Sequence, residues 1–148
     1  MQGLSPLIRQ RASRTIAAMT ARLLLDERIL ADGTHARTYA SLVDGHVLID
    51  DEDGSRGTLS MTALDRVMTK YGLPLEDNVK LDGDALDLGD GRRLRRLRYH
   101  TPVDATGRDY LVWERTGEPP LAVIATHATA ALRYLVLRLD GERADPVG

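Results

Sequence analysis

The sequence contains no cysteine and no phenylalanine, and lysine supplies only two of its 20 basic residues. Without cysteine the chain cannot form disulfides, thiolate metal sites or a cysteine nucleophile, and this composition predicts a reducing, cytoplasmic location. One tryptophan and five tyrosines offer few rings for stacking on bases, flavins or sugars. The interior must therefore be mainly aliphatic, and the preference for arginine indicates GC-rich coding of a bacterial-like kind.

Long apolar runs are also absent. No stretch approaches the roughly 18 consecutive apolar residues of a membrane-spanning helix, so no membrane span is predicted. Residues 1–25 carry four arginines and no acidic residue, which leaves an organellar transit segment open as an alternative. A secretory signal is not predicted, because Arg22 interrupts the one candidate apolar stretch.

The length of 148 residues predicts a single α+β domain spanning residues 1–148. The net charge of −2 is unevenly distributed along the chain: residues 1–31 carry +3, residues 32–91 carry −8 and residues 92–148 carry +3. Such segregation predicts ion pairing within the fold before it predicts a charged partner.

The N-terminal region has the pattern of a long amphipathic helix over residues 1–33. Ser5 and Pro6 form a typical helix start, and Gly33 is a typical end. A helix between them would be about 39 Å long, more than the diameter of a compact domain of this size, so part of it would overhang. Its apolar stripe consists of Ala12, Ile16, Met19, Leu23 and Leu30.

The remaining patterns predict a mainly antiparallel sheet with helices on one face, in the order α-β-β-α-β-β-β-β-α. Asp44-Gly45 predicts a two-residue hairpin turn, and a central helix begins at Ser60 and ends at Gly72. Further strands are predicted at 84–88, 92–99, 110–115 and 121–125. A C-terminal helix is predicted from Thr126, with a strand over 135–139 as the alternative, and residues 140–148 are predicted to fray.

Neither a metal nor a cofactor is predicted. The acidic loop at 50–54 misses the register of a calcium-binding EF-hand loop, and no two histidines have metal-ligand spacing. An enzyme is disfavoured but stays open: a small hydrolase or lyase would use His100 or His127 as a general base beside Asp104, Asp109 or Glu114.

The arginine-rich run from Arg92 to Arg98 suggests nucleic-acid or phosphate binding as a second alternative. The expected hairpin register sets Asp82, Asp84 and Asp87 opposite three of its five arginines. Only Arg92 and Arg95 would then be free for an anion, too few for nucleic acid. Thr126 and His127, at the start of the last helix, are further candidates for anion binding.

The leading hypothesis is a non-enzymatic binding or accessory protein. The overhanging N-terminal helix would contact another protein, or a second copy of this chain, through Ile16, Met19, Leu23 and Leu30.

Overall fold

The computed structural model describes residues 20–100 and 106–142. The first of its two sheets is a four-stranded antiparallel meander, followed by helix α1 (Met61–Tyr71). Its strands, in order, are β1 (Arg22–Ile29), β2 (His35–Val43), β3 (His46–Asp51) and β4 (Arg56–Leu59).

The second sheet has five antiparallel strands in the order β5-β9-β8-β7-β6, and helix α2 (Ala125–Glu142) follows it. These strands are β5 (Leu73–Pro74), β6 (Ala85–Gly89), β7 (Arg92–Tyr99), β8 (Arg108–Arg115) and β9 (Leu121–Ile124). The predicted α+β class and antiparallel pairing are confirmed. The single sheet and the three helices are wrong, because the described chain has two sheets and two helices.

The predicted N-terminal helix is wrong where the structure describes it, because Arg22–Ile29 is strand β1. Leu23 and Leu25 are both buried, as residues two positions apart on one face of a strand are, and β1 pairs antiparallel with β2. Gly33, with a φ of +88°, belongs to the turn between these strands and not to a helix end. Residues 1–19 lie outside the described part of the chain.

The predicted hairpin at Asp44-Gly45 is confirmed. Asp44 and Gly45 have φ values of 50° and 77°, as a type I′ turn requires, and Val43 pairs with His46. The strand after the acidic loop was not predicted: β4 adds to β3, with Gly57 opposite Ile49.

The central helix is also confirmed. The Ser60 hydroxyl caps α1 by accepting a hydrogen bond of 3.0 Å from the Ala63 amide. Gly72 ends the helix in an extended conformation, not in the left-handed one. A Cβ atom there would lie 2.4 Å from the Met68 carbonyl oxygen and 2.8 Å from Leu121 Cβ, so close packing against β9 requires glycine.

The hairpin of β6 and β7 has a tighter turn than predicted. Gly89 pairs with Arg92 around a two-residue turn, Asp90-Gly91, and a bulge at Leu88 absorbs the extra residue. Asp87 therefore still lies opposite Arg93, as predicted, but Leu88 does not lie opposite Arg92.

The C-terminal segment is a helix and not a strand. Helix α2 extends to Glu142, beyond the predicted start of fraying at residue 140, and residues 143–148 are outside the described part. Both helices pack on the sheets and close a common core, because apolar side chains of both sheets and both helices form one cluster. Its largest buried members include Leu25, Ile49, Leu64, Met68, Leu94, Leu111, Trp113 and Leu132.

Candidate anion-binding cleft

The four side chains predicted to bind a partner do not share an exposed stripe. Leu23 is 1% exposed and lies in the core on β1, which corrects the prediction that it faces a partner. Leu30 is half-buried at the turn after β1. Ile16 and Met19 lie outside the described residues.

The arginines of β7 differ in whether they have a partner. Arg95, predicted to be free, is buried: its Nε lies 3.0 Å from Glu114 Oε2, and its Nη1 donates a 2.8 Å hydrogen bond to the Gly83 carbonyl. Arg96 and Arg98 both pair with Asp109 on β8 and not with Asp84 and Asp82, the partners predicted from the hairpin.

Arg92 and Arg93, at the start of β7, have no ion pair with any described residue. Arg93 lies between Asp87 on β6 and Glu114 on β8 in the strand register. Those carboxylates are engaged elsewhere, because Asp87 accepts from the Gly89 amide and Glu114 binds Arg95. Arg92 Nε is buried and has no hydrogen-bond partner among the described residues.

Arg92 and Arg93 are among the residues that line an open cleft of about 410 Å³ at one end of the second sheet, which we call the arginine cleft. The turn between β6 and β7 and the turn between β8 and β9 form its walls. It is lined by Asp87, Gly89, Asp90, Gly91, Arg92, Arg93, Glu114, Arg115, Thr116, Glu118 and Pro120.

Contacts between the two turns hold the backbone of the arginine cleft. The Thr116 amide donates a 2.9 Å hydrogen bond to the Gly91 carbonyl, and the Thr116 hydroxyl lies 3.3 Å from the same oxygen. Gly91 has a φ of +75°, and a Cβ atom there would lie 2.5 Å from Thr116 Oγ1. Glycine is therefore required both for the turn and for its contact with the neighbouring one.

The third arginine of the cleft, Arg115, has two acidic partners. Its Nη1 lies 2.7 Å from Asp65 Oδ1 on α1, and its Nη2 lies 2.6 Å from Glu118 Oε1 in the following turn. Asp65 also accepts a 2.9 Å hydrogen bond from Trp113 Nε1. In the strand register Arg115 lies directly opposite Arg92, a like-charge pairing that is unfavourable unless anions offset it.

The other predicted anion-binding residues are not part of the arginine cleft. Thr126 and His127 are exposed in the first turn of α2. His100 is also exposed and does not line the cleft. The carboxylates proposed as its catalytic partners are Asp104, which lies outside the described residues, and Asp109 and Glu114, which bind arginines.

A second charged group, which the sequence reading missed, links the first sheet to α2. We call it the Asp51 cluster; it comprises Arg28, Thr38, Asp51, Asp53 and Arg133. The Asp51 side chain is fully buried, with Arg28 Nη2 3.0 Å from its Oδ1 and Arg133 Nε 2.6 Å from its Oδ2. The Thr38 hydroxyl donates a 3.1 Å hydrogen bond to Asp51, and Arg28 Nη2 also lies 2.7 Å from Asp53 Oδ2.

Two carboxyl groups in or near this cluster have pKa values that differ from the ordinary value in opposite directions. Burial alone would raise the pKa of Asp51, but hydrogen bonds from Arg28 and the Asp53 amide, with the charge of Arg133, bring it below its ordinary value. Burial raises the pKa of Asp26 on β1, since the hydrogen bond from Glu27 and the charges of nearby arginines offset it only in part.

Among the described residues no group of three or more histidine and carboxylate side chains could hold a metal ion. Neither described helix combines the length and apolar character needed to cross a membrane. No protein-family model, curated protein or solved structure matches the chain.

Proposed function

We propose that the chain is a non-enzymatic binding protein whose ligand presents a carboxylate to the arginine cleft. One observation carries the proposal: Arg92 and Arg93 line the cleft, and neither has an ion pair among the described residues. Buried polar groups are normally hydrogen-bonded, and the Arg92 Nε is buried without a hydrogen-bond partner in the described part of the chain. An acceptor supplied by a ligand would satisfy it, and guanidinium groups bind carboxylates especially well.

The charge balance of the cleft favours a singly charged group. The described lining residues include three arginines and four carboxylates; the carboxylates are Asp87, Asp90, Glu114 and Glu118. These acidic side chains would repel a phosphate with two charges more strongly than a carboxylate with one. Nucleic acid is disfavoured for the same reason, because it requires several uncompensated cations along a surface.

Binding is favoured over catalysis because the described lining residues include no histidine. General acid–base catalysis near neutral pH needs a group that titrates there and reaches the substrate. Two of the lining carboxylates are instead held in ion pairs, Glu114 by Arg95 and Glu118 by Arg115. Thr116 carries the one hydroxyl among the described lining residues, and it interacts with the Gly91 carbonyl.

The carboxylate can belong to an acidic segment of another protein or to a small organic acid. Isothermal titration calorimetry at low ionic strength distinguishes them, with a hexaglutamate peptide, acetate and inorganic phosphate as the probes. We expect the wild type to bind at least one carboxylate probe more tightly than phosphate. Tighter binding of hexaglutamate than of acetate identifies a peptide ligand, and the reverse order identifies a small acid.

The double variant Arg92→Gln, Arg93→Gln is expected to lose this binding, by at least about tenfold in Kd for two charge-assisted contacts. Arg56→Gln is the matched control, since Arg56 is an exposed arginine on β4 and does not line the cleft. Absence of binding of both carboxylates by the wild type, or equal weakening by Arg56→Gln, would contradict the proposal.

A further inference from the structure

We infer that Glu118 occupies the position of the ligand carboxylate in the free protein, and that Arg115 becomes the third binding arginine when Glu118 is displaced. This inference rests on the proposed function and extends it to the way in which the site opens. Its basis is the difference between the two acidic partners of Arg115.

Asp65 is the fixed partner of Arg115. It lies on helix α1 and is held from two directions, by Arg115 Nη1 at 2.7 Å and by the indole nitrogen of the buried Trp113 at 2.9 Å. Its side chain is 30% exposed. Replacing it with a ligand would break both contacts and leave the Trp113 donor unpaired, which is costly.

Glu118 is the replaceable partner. It lies in the turn between β8 and β9, only three residues after Arg115, and its side chain is 52% exposed. Its one described side-chain contact is with Arg115 Nη2, at 2.6 Å. An ion pair this exposed contributes little free energy, so a carboxylate from solution can compete with it.

The exchange requires only a side-chain rotation. The turn backbone is held by the bond from the Thr116 amide to the Gly91 carbonyl and by the bond from the Glu118 amide to the Arg115 carbonyl. With Glu118 rotated into solvent, Arg115 Nη2 is free to donate into the same cleft that Arg92 and Arg93 line. The incoming carboxylate also offsets the like charges of Arg92 and Arg115, which lie opposite each other.

Glu118→Gln tests the inference, because it removes the competing charge and leaves the backbone unchanged. Hexaglutamate binding to this variant should tighten about two- to fivefold relative to wild type, the range that corresponds to an exposed ion pair. Glu76→Gln is the control for net charge. Glu76 is not among the described lining residues. Burial, and then the charge of Glu76, raise the pKa of Tyr99, which lies at the other end of β7.

Trp113 provides a second readout, since it is the only tryptophan and shares Asp65 with Arg115. Its fluorescence should change on titration of the wild type and of Glu118→Gln with the peptide. Tightening in Glu118→Gln without tightening in Glu76→Gln supports the inference.

Equal or weaker binding by Glu118→Gln, or equal tightening by Glu76→Gln, overturns the inference. Failure of the proposed function has a different signature: the double variant of Arg92 and Arg93 then binds as the wild type does. The two results can therefore be told apart in one series of titrations.

Discussion

The Asp51 cluster and the arginine cleft use the same kinds of side chain in opposite ways. In the cluster, a fully buried carboxylate holds two arginines from different elements, Arg28 on β1 and Arg133 on α2. In the cleft, Arg93 lies between two carboxylates that bind other groups, and Arg92 lies opposite Arg115. Matched charges that join two elements indicate a structural role, whereas unmatched charges beside a cavity indicate a binding role.

Among changes to these two regions, removal of Asp51 should lower the stability of the protein most. Asp51→Ala leaves two arginines near the core without their buried partner, and we expect a loss of about 3 kcal/mol in the free energy of unfolding. Both arginines are about a quarter exposed and can partly rehydrate, which limits the loss. Urea denaturation at pH 7 measures it.

Asp53→Ala is the matched control, because Asp53 binds the same two arginines but is 30% exposed. Its expected cost is about 0.5 kcal/mol, as for other exposed ion pairs. If Asp51→Ala costs no more than Asp53→Ala, the cluster is not a structural link, and the contrast with the arginine cleft fails.

Acidification should weaken the Asp51 cluster selectively. The pKa of Asp51 is lowered from its ordinary 3.8, so its contribution to stability is fully present above about pH 4 and is lost as the pH falls through the folded-state pKa. The difference in unfolding free energy between wild type and Asp51→Ala should therefore shrink between pH 5 and pH 2.5. A difference that stays constant over this range would show that the Asp51 charge is not responsible.

The fold was predictable from sequence where local signals determine the structure. The turn at Asp44-Gly45 and the cap at Ser60 each rest on residues within a few positions of one another. Strand β1 was missed because Leu23-Leu24-Leu25 fits a helical stripe as well as an alternating strand, and leucine favours helices. Pairing with β2 decides between them, and that tertiary contact is not visible in the local pattern.

The candidate site was predictable only in part, for a related reason. Arg92 was expected to lack an acidic partner, and the residues opposite it, Gly89 on β6 and Arg115 on β8, carry no carboxylate. The partner of Arg95 is Glu114 on β8, 19 residues away, and that pairing depends on the register between β7 and β8. The hairpin register alone cannot reveal this pair, so the expectation that Arg95 is free is wrong. Arg93 lies opposite Asp87, as expected, but has no ion pair with it because Asp87 accepts from the Gly89 amide.

Replacement of Asp26 should change the stability less than replacement of Asp51, and should increase it where replacement of Asp51 decreases it. Burial raises the pKa of Asp26, so its charged form is disfavoured in the folded state and its contribution to stability falls as the pH rises through that pKa. Asp26→Asn removes the charge and keeps an acceptor for the Glu27 amide. We expect a small increase in thermal midpoint at pH 7 that disappears at pH 3, measured by circular dichroism; a decrease at pH 7 would contradict it.

Changes at the arginine cleft should affect stability least. The double variant Arg92→Gln, Arg93→Gln breaks no described ion pair and removes a like charge opposite Arg115, so its unfolding free energy should stay within about 0.5 kcal/mol of wild type. Arg96→Gln is the contrasting variant, since it breaks the ion pair with Asp109 and should lower the free energy of unfolding by about 1 kcal/mol, the upper end for partly exposed pairs. Equal losses in the two variants would indicate that the cleft arginines are structural.

The same pair of variants also separates folding from binding. A ligand that binds only the folded state stabilises it in proportion to its occupancy, so hexaglutamate in excess of its Kd should raise the urea midpoint of wild type and of Arg96→Gln. The double variant of Arg92 and Arg93 should show no such rise, although its own stability is unchanged. If the cleft arginines are not needed for folding but are needed for stabilisation by the peptide, their charges interact with the ligand and not with other residues of the chain.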